Sequence, residues 1–153
     1  LYRRSMYTVW KRTTPPPAMM NFDTSERNLC SIKRQSTSTP LQALVLMNDP
    51  QFVEASRILA ERMILEGGPS DADRISFGFR ALTSRSPNEG ELETLTELLR
   101  LETQSFRQTP EAASLLLKTG EYPRSLSLDA SEVAAYATVA STIMNFDATT
   151  ILR

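Results

Sequence analysis

From residue 50 to residue 66 the apolar positions Phe52, Ala55, Leu59 and Met63 recur at helical intervals, with Val53, Ile58 and Ile64 beside them. That spacing predicts an amphipathic helix, and Gly67-Gly68 closes it. The same period returns further on. Ile75, Phe79 and Leu82 share one face, flanked by Phe77 and Ala81, with Gly78 as a weak point; Leu92, Leu95, Leu98, Leu99 and Phe106 share another. Val133, Tyr136, Ala137, Ala140, Ile143 and Met144 form a last, alanine-rich face suited to close packing.

The starts of these runs carry a common signal: a Ser, Thr or Asp able to accept from free amides, then proline or, three residues on, an acid or Gln. It occurs at Thr39-Pro40-Leu41-Gln42, which opens a short apolar run over residues 41–47, and at Asn48-Asp49-Pro50, which ends that turn and starts the next. Ser70-Asp71-Ala72-Asp73, Ser86-Pro87-Asn88-Glu89, Thr109-Pro110-Glu111 and Asp129-Ala130-Ser131-Glu132 repeat it. The second of these four predicts a cap at Ser86, and the third a short helix ending near Thr119-Gly120. No strand pair with a hairpin turn is legible. The expectation is an all-α fold: an irregular bundle of about five to seven helices with a long irregular N-terminal strap.

The strap is residues 13–38, where Pro15-Pro16-Pro17 leads a mixed stretch with no clean period. Met19, Met20, Phe22, Leu29 and Ile32 gain by burial, so the stretch is expected to dock on the helices instead of staying free. Before it, Tyr2, Met6, Val9 and Trp10 fit one helical face, which favours helix over strand there. The whole of 1–153 reads as a single helical domain: a basic segment and strap over 1–38, helices over 39–68, a helical hairpin over 70–106 and C-terminal helices over 109–153. The chain begins at Leu1, which predicts a piece of a longer protein.

Composition removes several functions. The chain has no histidine and one cysteine, Cys30, so it cannot supply a Ser-His-Asp or Cys-His set, a His-ligated zinc, or an internal disulfide. No catalytic residue, metal ligand or cofactor is expected, and Cys30 reads as a small buried hydrophobe. No apolar stretch approaches the ~20 residues that a membrane span needs. The net charge of −1 argues against nucleic acid as a partner, but the charge is uneven. Residues 1–34 carry seven Lys/Arg against Asp23 and Glu26, a local +5, while the remainder carries −6. The basic end is expected to meet acid, in this chain's own helices, in upstream chain, or in an external ligand.

The candidate binding residues are therefore Arg3, Arg4, Trp10, Arg12 and Arg34. With Lys11 and Tyr7 they form a basic segment interleaved with aromatics, a pattern that stacks on and pairs with polysaccharide or another polyanion. The plainer account makes Trp10 core and the arginines internal bridges. Asp71 with Asp73, and Glu89 with Glu91 and Glu93, suggest a carboxylate pair or a metal, but residues two apart on a helix diverge, and first-turn acids are what the helix dipole favours. The methionines read as gap-filling core.

The block Thr39-Pro40-Leu41-Gln42-Ala43-Leu44, next to Asn48-Asp49-Pro50, is the most specific motif. With Tyr2 to Arg12, Pro15-Pro16-Pro17, Phe22-Asp23, Arg34, Arg80, Leu82, Thr83, Arg85, Pro87, Glu91-Leu92 and Asn145-Phe146-Asp147, it resembles the planctomycete PSD-one domain, a domain of unknown function. The resemblance spans nearly the whole chain. It implies the C-terminal domain of a large exported protein, extracytoplasmic or periplasmic, whose upstream cytochrome c-like and lineage-specific domains are the expected partners. The Cys-x-x-Cys-His haem motif of the upstream region is absent here, so haem binding does not transfer. The functional expectation is a structural or interaction module. Two alternatives stand beside it: a contribution of Arg3, Arg4, Arg34 or Asp23 to a composite active site, and carbohydrate or polyanion binding through the Arg/Trp segment.

Overall fold

A computed structural model describes residues 5–11, 13–25, 30, 32–33 and 37–150. Among them are eight α-helices and no strand, so the chain is all-α. The helices are α1 (Pro17–Asn21), α2 (Pro40–Asn48), α3 (Pro50–Glu66), α4 (Asp71–Thr83), α5 (Glu89–Gln108), α6 (Pro110–Leu117), α7 (Ala130–Met144) and α8 (Asp147–Thr150). Contacts divide the chain into two compact units, Leu1–Val45 and Leu46–Arg153.

In the first unit the helix expected around Tyr2 to Trp10 is reduced, over its described part, to a single 3₁₀ turn at Ser5–Tyr7. Thr8 and Val9 next in the chain are exposed, so this stretch lacks the buried face that sustains a helix in water. The irregular stretch holds one regular element that the periodicity did not show, α1. Pro17 sits in its first turn, where the fixed φ of proline costs no hydrogen bond, and the helix is too short to display a period. Asp23 then takes a positive φ of 53°. The carboxylate of Asp23 accepts from the Thr37 N–H at 2.7 Å and the Thr37 hydroxyl at 2.8 Å. Gln42, buried in α2, donates to the Asn21 carbonyl at 2.7 Å, and its side-chain oxygen accepts from the Thr39 N–H. Polar bonds thus tie the irregular chain to the start of α2. Met19 and Phe22 are half-buried, but Met20, Ile32 and Cys30 are exposed, contrary to their expected burial, and Leu29 lies outside the described residues.

The second unit is built round α7. Its small residues Ala134, Ala135, Ala137 and Ala140 let α3 approach closely, and α3–α7 is the most extensive helix pair, followed by α5–α7. Leu59, Met63, Ile75, Phe79, Leu95, Leu99, Tyr136 and Ile143 complete one buried cluster. Gly78, a weak point by propensity alone, is a notch: a Cβ there would lie 2.6 Å from the Met63 sulfur. Ala55 and Ala81 are exposed, so the buried arcs of α3 and α4 are displaced from the apolar stripes.

The caps at Asp49, Ser70 and Asp129 form as expected, each side chain accepting from a backbone amide two or three residues on. Ser86 is not the cap of α5. Asn88 is, in a capping box with Glu91, whose carboxylate Arg85 holds from outside the helix.

Candidate functional site

Of the five candidate residues, Arg3, Arg4, Arg12 and Arg34 lie outside the described residues. Trp10 is half-buried, placed just before a tight turn in which the Thr14 N–H donates to the Lys11 carbonyl at 3.2 Å. Tyr7, Val9 and Lys11 around it are exposed. Asp23, the acid offered to a composite site, spends its carboxylate on Thr37.

A different constellation lies on α3. Glu54, Arg57 and Glu61 are three and four residues apart and so share one face, nearly opposite the Leu59–Met63 side of the helix. Glu54 and Arg57 are each only 2 % exposed. Arg57 donates to Glu61 at 3.2 Å and to Glu54 at 3.4 Å, and its second terminal nitrogen also donates to the Tyr122 carbonyl at 2.7 Å. The Tyr122 N–H donates in turn to Glu54, and the Ser125 N–H to Glu61. Gly120 makes room for this: its φ is +101°, and a Cβ there would collide with the Glu54 carboxyl group. Apart from the Arg57 Nε, the charged groups are thus bonded to each other and to the main chain of the α6–α7 connection. Burying charge in this way is tolerated only with such pairing.

A groove of about 610 Å³ runs along α5, lined by Asp71, Thr96, Arg100, Thr103 and Arg107 among others. Its charges also have internal accounts. Arg100 holds Glu97 by two bonds of 2.7 and 2.8 Å. Asp71 accepts from the Tyr136 hydroxyl at 2.7 Å, and burial, then that bond, pushes the phenol of Tyr136 above its usual range. Arg107 sits in the last turn of α5, where the dipole favours a cation. At the other end of the helix, two bonds from Arg85 and one from the Asn88 N–H hold the carboxyl group of Glu91 down to about 2. Arg85 also lies over the Phe79 ring, 4.8 Å from its centre.

Among the described residues no three His, Cys, Asp or Glu side chains are grouped to hold a metal, and no helix is long and apolar enough to cross a membrane. The block from Thr39 to Asp49 forms α2 and the cap of α3, in the part of the chain that a family model matches, residues 1–99. The chain belongs to the PSD1 family. That family is described as a protein of unknown function (DUF1553). The match takes in the basic segment, the irregular stretch and α1 to α4 of this PSD1 chain, and ends within α5. Neither a curated protein nor a solved structure matches the chain.

Nothing in the sequence pattern singled out Glu54 and Arg57. The one available signal was their spacing: an acid, a base and an acid on one helix face, which for surface residues describes an ordinary solvated ion pair.

Proposed function

We propose that this PSD1 chain is a structural and interaction module of a large exported protein, docking on the protein's upstream domains through the N-terminal basic segment. One observation carries the reading: the most deeply buried charged groups among the described residues, Glu54 and Arg57, are committed to this chain's own main chain. Charge buried that way builds a scaffold. The +5 charge of residues 1–34 supports the docking role.

A second reading is favoured by the surface around Trp10. An exposed Tyr7, a half-buried Trp10 and an exposed Lys11 lie within the five residues 7–11, as a stacking platform for a sugar or polyanion would require. One experiment separates the readings. The upstream part of the parent protein and this chain are produced separately and titrated together by calorimetry, with wild type and a Trp10→Ala/Lys11→Ala variant. Micromolar binding that the variant loses supports the module. No binding to the upstream part, with salt-sensitive binding to heparin, replaces it with the polyanion reading. Activity that appears only when the two parts are mixed replaces it with a composite active site.

A further inference from the structure

We infer that residues 119–128, the connection from α6 to α7, form a strap that opens as a unit while the helices stay folded, with Glu54, Arg57 and Glu61 as the catch that holds it shut. The inference is independent of any partner. It starts from what grips the segment. Glu121, Tyr122, Pro123, Leu126 and Ser127 are exposed, and Leu128, at its end, is its one apolar side chain packed against the core. A segment with so little buried apolar area loses little hydrophobic stabilisation on lifting away. What holds it is polar and is aimed at its backbone: Tyr122 is held through both N–H and carbonyl, and Ser125 through its N–H.

Two features suit this grip to a device that opens. Gly120 supplies the left-handed φ that lets the main chain turn down onto Glu54, so the seat is specific. The Arg57 Nε, buried, has no hydrogen-bond partner among the described residues. Closed, the catch leaves one donor of a buried guanidinium unmet; open, water meets it. The closed state is therefore held by a few bonds against a standing pull, and opening brings the Glu54–Arg57 pair to the surface. Local openings of this type lie below the free energy of global unfolding.

Native-state hydrogen exchange by NMR on the whole chain tests this. The amides of Tyr122 and Ser125 are compared with those of α3 and α7, in wild type and in Glu61→Gln. Glu61 is the rim member of the catch, 12 % exposed, so its replacement spares the buried pair. The expected result is exchange of the strap amides at least ~100-fold faster than the helix amides, set by a separate opening. The variant then raises the strap rates about tenfold, the worth of one bond to a charged group, with the helix rates unchanged. A single opening free energy shared by strap and helices in the wild type, or an equal shift of all amides in the variant, overturns the inference. Should Glu61→Gln not fold, the wild-type comparison alone decides.

Discussion

At the scale of single residues, a charge that solvent never sees is the feature that most distinguishes this chain. Arg57 offsets two carboxylates and holds one carbonyl, so its removal takes a cation from the buried carboxylate of Glu54. Breaking such a pair from one side costs about 3–5 kcal/mol, more than either residue contributes as a well-matched pair. Arg57→Met is expected to lower unfolding stability by that amount in urea titration. Adding Glu54→Gln to it should recover part of the loss, because the second change removes the stranded charge. Strict additivity of the two would mean that they do not form one unit. Gly120→Ala is expected to cost about 1–3 kcal/mol for its left-handed backbone, with the Glu54 collision in addition, whereas Gly90→Ala, exposed in the first turn of α5 with room for a Cβ, is expected to cost nothing. Equal losses at the two glycines, by the same titration, would remove the argument from φ. Neither residue announced itself in the sequence. A helical wheel sends Glu and Arg to solvent, and Gly120 read only as a helix stop, because the contacts that explain them lie 65 and more residues away.

At the scale of elements, what is local was legible and what is decided by a distant contact was not. Pro50, Ser70, Pro110 and Asp129 mark helix starts because capping is settled within four residues. At α5 the signal read from the sequence, Ser86 with Glu89, set the cap two residues early; Asn88, with Glu91 three residues on, takes it. Arg85 supports that cap: held over Phe79, it fixes Glu91 by bonds of 2.6 and 2.8 Å. The candidate binding segment was legible as composition, but the triad on α3 was not. A pH dependence follows from the Glu91 environment. Its folded pKa, about 2, lies below the ordinary value of 4.5, so its contribution is present above pH 4.5 and is lost as pH falls through about 2. Arg85 is 46 % exposed, and solvent screening holds the contribution to about 1 kcal/mol. Glu91→Gln should therefore be less stable than wild type at pH 7, with the gap closing between pH 4.5 and pH 2. A gap independent of pH, in urea titrations across that range, would mean that the cap and not the charge is what the substitution removes.

At the scale of the whole chain, the distribution of buried apolar groups sets what folds with what. Among the described residues the buried cluster runs from Leu59 to Ile143, within Leu46–Arg153. The described residues of the first unit include polar ties, Asp23 to Thr37 and Gln42 to Asn21. Burial of apolar area is the dominant stabilising term in a domain of this size, while an exposed hydrogen bond nets about 1 kcal/mol. A chain of residues 46–153 thus retains every described member of that cluster. It is expected to unfold in one cooperative transition, with a midpoint within a few degrees of the full chain, since a change of about 1 kcal/mol moves a domain of this size by about 4–8 °C. Circular dichroism at 222 nm during heating checks this. A fragment that melts without cooperativity, or falls more than about 15 °C, would show that residues 1–45 supply stability that their own polar ties do not account for, and would make 1–153 one folding unit. The family match makes the comparison pointed, because residues 1–99 join all of the first unit to only the first half of the helical core. The matched region alone lacks α7, the helix on which α3 and α5 pack most extensively, so residues 1–99 expressed by themselves are expected to show no cooperative melt under the same conditions.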